Sequence, residues 1–151
     1  MRYDAAVFLE THVMKKAAAL ALLALAASAQ AAELSPAFQC DRSPHDFVGT
    51  LINQRLIDAR PHVDQRSLNT FRPLPGSHLT VFQYKVISVV GYQPDDSVFG
   101  EMPGASIPAL YGVVVFGAPA DVQASLNSAG YTRARIAHAG PHLTAIACRV
   151  D

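Results

Sequence analysis

The segment HAGPH places His138 and His142 four residues apart. On a helix, that spacing aims two imidazoles at one metal ion; here Gly140 and Pro141 put them in a turn instead. A zinc site needs three or four converging ligands and second-layer partners to orient them. No third ligand stands at a recognised spacing from this pair, so no metal is expected. His45, near the start of a helical pattern, reads as part of the helix cap rather than as a base. No serine occupies a G-x-S-x-G elbow, the local signature of one class of hydrolase nucleophile. The glycines of VVGY and VVFGAP stand singly, so nothing cradles a phosphate and no cofactor is expected. Asp95, Asp96 and Glu101 could in principle flank a sugar or hold calcium. Their spacing lacks the 12-residue pattern of a calcium loop, and they read as a solvated acidic loop. These residues assign no catalytic group. The enzymatic alternative is a hydrolase in which His138 or His142 works with a loop carboxylate.

Recognition chemistry is better represented. In YTRARIAH, strand alternation sends Tyr131, Arg133 and Arg135 to one side, with Arg149 on the next strand expected to join them. Tyrosine and arginine are the types enriched at protein interfaces and their hot spots. The loop QPDDSVFGEMPGASIPAL adds Asp95, Asp96 and Glu101, with Phe99 and Met102 as exposed apolar tips. Long loops without structure of their own are frequently functional. The candidate binding surface is therefore Tyr131, Arg133, Arg135 and Arg149 beside Asp95, Asp96, Phe99 and Glu101.

Location comes from the other end of the chain. MKKAAALALLALAASAQAAEL begins at Met14, with Lys15 and Lys16 ahead of an unbroken apolar run over residues 17–27. Ala29-Gln30-Ala31 supplies the small-x-small pattern of a cleavage site. That order fits a secretory signal peptide over residues 14–31. A membrane-spanning helix needs about 20 apolar residues, and Ser28 and Gln30 interrupt the run too early. Residues 1–13 carry Asp4 and Glu10, poor company for a positively charged leader start, and read as an upstream extension. No cysteine follows the cleavage site to take a lipid, so no stable membrane anchor is expected after cleavage. The expected destination is the periplasm, with the extracellular space as the alternative.

Export changes the meaning of the cysteines and of the charge. Cys40 and Cys148 are the only two, and in an oxidising compartment they are expected to form a disulfide. The whole chain has 12 Lys+Arg and 12 Asp+Glu. Without Arg2, Lys15, Lys16, Asp4 and Glu10 the remainder carries a net charge of about −1, which gives no footing for nucleic acid. Eight of its cations are arginines and Lys85 is its one lysine.

The elements that must hold these residues follow from local pattern. Ser43, Pro44 and Asp46 make a helix start, and Phe47, Val48, Leu51, Ile52 and Leu56 fall on one helical face ahead of Pro61. Residues 62–78 read mostly as loop. LTVFQYKVISVVGY reads as one long strand that bends or bulges near Ser88. YGVVVFG reads as a central strand, and residues 119–129 as a second helix closed by Gly130. Two final strands follow, joined by the AGP turn. The predicted fold is α+β: a two-layer sandwich of one mainly antiparallel sheet of about four strands with two helices on one face. The order is helix-strand-strand-helix-strand-strand, in a single domain over residues 32–151. The expected function is that of a small exported module binding a protein partner in the cell envelope, as an inhibitor or immunity protein of an envelope hydrolase would. A structural or assembly component of the envelope is the further alternative.

Overall fold

The computed structural model describes residues 29–104 and 107–151. The upstream extension and the leader lie outside the described residues, apart from positions 29–31. None of the helices described is long and apolar enough to cross a membrane.

Both helices form where the local signals put them. The first, α1, spans Pro44–Asn53, and the Ser43 hydroxyl accepts the Asp46 N–H at 3.0 Å as its cap. It is shorter than its apolar stripe predicts. Arg55 takes a left-handed φ of 56°, which turns the chain before Pro61. Leu56 and Ile57 still reach the core, as the first residues beyond the turn rather than as a last helical turn. The second helix, α2, spans Pro119–Ala129 and ends at Gly130 with φ 73°, a conformation that glycine adopts without steric cost.

The sheet overturns the four-strand expectation. The described residues form eight strands: β1 (Gln30–Glu33), β2 (His62–Val63), β3 (Asn69–Phe71), β4 (Ser77–Val81), β5 (Tyr84–Tyr92), β6 (Leu110–Phe116), β7 (Arg135–Gly140) and β8 (Leu143–Arg149). Their order is β1-β4-β5-β6-β8-β7, with β3 also on β5 and β2 on β3. The sheet is mixed, because β1 runs parallel to β4 while the other pairs are antiparallel. The molecule is thus mostly one large sheet, and not a four-strand layer under two helices.

Two physical features account for the added strands. The long apolar run at 79–92 folds back on itself at Phe82-Gln83, with φ of 47° and 71°. A two-residue turn with both φ positive matches the strand twist and normally calls for Asn-Gly or Asp-Gly. Here Glu33 and Ser35 hold it together: the Phe82 N–H donates to the Ser35 hydroxyl at 2.7 Å and to the Glu33 carboxylate at 3.1 Å, and that carboxylate also accepts the Thr80 hydroxyl at 2.7 Å, the Ser35 N–H at 2.9 Å and the Ser35 hydroxyl. Burial raises the pKa of Glu33, but these hydrogen bonds outweigh it and hold the carboxyl below its ordinary value. The second feature is a fork. One edge of β5 pairs with β4 at Tyr84 and Lys85, and with β3 at Val89, Val90 and Gly91. The register against β6 shifts between Val86 and Ser88, which reverses the parity of the strand where the sequence predicts a bulge.

Among the described residues, both helices lie on the same face of the sheet. Rows across the strands put Phe71, Val89, Val113 and Ile146 on that face, all fully buried. Val48 of α1 packs at Gly91 and Val122 of α2 at Gly117, both on the same side. Ahead of α1, a 3₁₀ turn (Ser35–Gln39) is clamped twice to the sheet. The buried Tyr111 hydroxyl donates to the Ala37 carbonyl at 2.7 Å, and Cys40 is bonded to Cys148 across a Cα–Cα distance of 5.2 Å. Tyr111 and Cys148 are register partners on β6 and β8, so both clamps act at one place.

Candidate binding face

The predicted arginine–tyrosine strand face does not form as one unit. Tyr131 follows the Gly130 cap, and its N–H donates to the Leu126 carbonyl, so it completes the helix end rather than a strand. Its ring packs on Phe82 with centroids 5.7 Å apart. Regular pairing starts only at Arg135, which faces Ala147. Arg133 instead lines a hollow of about 460 Å³ with Arg42, Arg149 and the C-terminal residues, next to the disulfide.

The acidic loop is fastened rather than extended. Asp96 Oδ2 lies 2.7 Å from His45 Nδ1, and its Oδ1 accepts the Val98 N–H at 2.9 Å. The Tyr92 hydroxyl donates to Glu101 at 2.7 Å. That bond first, then burial and the charges of Glu101 and Asp95, keeps the Tyr92 phenol above its ordinary pKa. Phe99, predicted as an exposed tip, is 8 % exposed and packs edge-on against Phe71. Gly100 explains this reversal, because its N–H and carbonyl both bind the side chain of buried Asn69, at 2.7 Å and 2.9 Å. Met102 remains outside at 40 %.

The residues of the hydrolase alternative are kept apart. His142 lies at the β7–β8 turn against Phe116, with ring centroids 6.1 Å apart. The acidic loop joins the sheet at Tyr92 and Leu110, the opposite end of β6. Seven residues of extended chain separate those ends by roughly 20 Å. Among the described residues, no three His, Cys, Asp or Glu side chains come together as metal ligands.

What the structure does assemble is the sheet face away from the helices, buried at Tyr92 and Val90 near the acidic loop and open toward Ala137 and Phe116. Its rows are Arg149, Leu110 and Tyr92; Arg135, Ala147, Gly112, Val90 and Thr70; and Ala137, Ala145, Val114 and Ser88. The centre is built of small apolar side chains, and Phe116, 57 % exposed, stands at one end. Lys85 shares this face through its partner Thr80, and Arg72 lies just beyond Thr70. Among the described residues, Arg72, Lys85, Arg135 and Arg149 enter no ion pair. Carboxylates stand on this side as well: Glu33 in the hairpin turn, Glu101 bonded to Tyr92, Asp58 beside Arg60, and Asp41 and Asp151 lining the hollow that Arg149 also lines. Neither helix contains a lysine or arginine, whereas α1 carries Asp46 and α2 carries Asp121. The cations Arg72, Lys85, Arg135 and Arg149 thus gather on the sheet side, and neither helix adds a lysine or arginine to the other side. Only Arg135 and Arg149 of this arrangement are legible as site residues in the sequence. Arg72 and Lys85 lie in segments whose strand pairing comes from the fork in β5.

The chain matches no protein-family model, no curated protein and no solved structure.

Proposed function

We propose that this protein is a small exported module that binds a protein partner in the cell envelope, as an inhibitor or immunity protein of an envelope hydrolase does. One observation carries the reading: a broad sheet face away from the helices, with a small, partly exposed apolar centre and four cations around it that enter no ion pair among the described residues. An apolar patch rimmed by polar groups is the usual form of a protein-docking surface. The arginines suit it, because a planar guanidinium pairs bidentately with carboxylates.

Export is supported by the order of charge, apolar run and small residues at 14–31, and by the disulfide, which persists in oxidising compartments. Cleavage after Ala31 would fall within β1. Ala32 and Glu33 would stay paired with Leu79 and Thr80, and the carboxylate that holds the hairpin turn would be retained.

The test is affinity capture from periplasmic extract with the wild type and with R135E/R149E. The expected result is one stoichiometric partner, lost in the variant while circular dichroism stays unchanged. Rim charge reversals of this kind cost several kcal/mol where carboxylates face them. Undiminished capture by the folded variant would remove this face from the reading.

A further inference from the structure

The fork in β5 leaves a notch in the sheet. Between the β4 pairing at Lys85 and the β3 pairing at Val89, the edge over Val86, Ile87 and Ser88 has no ladder partner among the described residues. The chain from Arg72 to Leu79 swings away from it toward β1, and the hollow that opens has a volume of about 870 Å³. Ligand-sized clefts lie at roughly 300–1,000 Å³. Leu74, Leu79, Val86 and Ile87 give it an apolar floor, and Ile87 is 39 % exposed. Arg72, Lys85 and His78 are its ionisable lining groups, and no carboxylate lines it among the described residues. Arg72 also lines the adjoining hollow, which it shares with Asp58; bonds from Arg60, with the charge of Arg72 adding to them, hold that carboxyl below its ordinary value.

We propose that this notch takes an extended, carboxylate-bearing segment of the partner protein, and so acts as the anchor point of the docking face. The inference rests on the protein-binding reading and specifies the chemistry of what is bound. An unpaired strand edge offers main-chain N–H and C=O groups, which an extended peptide satisfies by adding strand pairing. The free stretch of three residues is about 10 Å long, enough for a short run of such pairing. Side chains of the bound segment would alternate between the apolar floor and the open side. Two cations without a lining acid select aspartate or glutamate on that open side, and repel lysine.

The probes are two blocked peptides, Ac-VDVDV-NH2 and Ac-VKVKV-NH2, titrated into the isotope-labelled full chain and followed by amide chemical shifts. The acidic peptide should saturate with a Kd on the order of 1 mM. Its shifts should centre on residues 70–80 and 86–88, and the lysine peptide should give none. R72A/K85A, both exposed positions, should weaken binding by about fivefold or more without altering the far-ultraviolet spectrum. Absence of saturable shifts, equal binding of the lysine peptide, or shifts confined to Arg135 and Arg149 would each overturn the notch assignment. The broader reading is judged separately by partner capture. Capture lost in R135E/R149E but intact in R72A/K85A would refute the notch and leave the docking face standing.

Discussion

Replacing both Cys40 and Cys148 by alanine removes a tether between residues 108 positions apart. In the chain-entropy treatment, a loop of this length restrains the unfolded ensemble by roughly 4–5 kcal/mol. A domain of this size has a total stability of about 5–15 kcal/mol. The variant should therefore remain folded, held by Tyr111 and the common core, but with a large share of its margin gone. With a urea dependence of about 1.5–2 kcal/mol per molar, the loss moves the midpoint down by about 2–3 M. Urea titration followed by far-ultraviolet circular dichroism reads the shift directly, and wild type unfolded in the presence of reductant should converge on the variant. A midpoint change below about 0.5 M would refute the reasoning. It would mean that the unfolded chain gains little freedom when the tether is cut.

Three further predictions concern the sheet. Glu33 has a depressed folded-state pKa, so its contribution is fully present above its unfolded value near 4.5 and is lost as pH falls through the folded value; acid titration of stability should show this loss in wild type and lack it in E33Q. A side chain at Gly112 would run into the Ile146 carbonyl oxygen and come within 3.1 Å of the Ala147 Cα, both backbone groups of β8, so G112A should destabilise by about 1–3 kcal/mol in thermal or urea unfolding. Gln83 holds a φ of 71°, a conformation that costs a side-chain-bearing residue roughly 1–2 kcal/mol, so Q83G should raise stability by up to about 1 kcal/mol, and a loss there would refute the view of this turn as strained.

The helices were legible because their signals are local. Ser43, Pro44 and Asp46 mark one start within four residues, and Pro119 and Gly130 bracket the other helix. The hairpin at Phe82-Gln83 was not legible, because neither residue is one that favours positive φ. Ser35 and Glu33, 47 and 49 residues away from the Phe82 N–H they accept, hold the turn instead. Strands β2 and β3 are two and three residues long, too short for alternation to declare itself, and β3 exists as a strand through its pairing with β5. The same distinction applies to the candidate face. Arg135 and Arg149 are legible from parity, because both fall on residues that do pair, Arg135 at the start of β7 and Arg149 at the end of β8. Arg133 was grouped with them because the alternation in YTRAR continues backward beyond the first paired residue. Phe99 read as a loop tip because the anchoring of Gly100 by Asn69 spans 31 positions and leaves no mark in the loop itself.

The disulfide also has a mechanical consequence. Force applied between the start of α1's lead-in and the last strand enters at Cys40 and leaves at Cys148, which are directly bonded. The load then passes through one covalent bond, and the sheet and both helices between these positions hang off the line of tension. A protease cut in an exposed loop such as that around Gly76 would likewise leave one covalent molecule, with its two fragments joined beside Tyr111. Between Cys40 and Cys148 the chain therefore behaves as a closed ring rather than as a string with two ends.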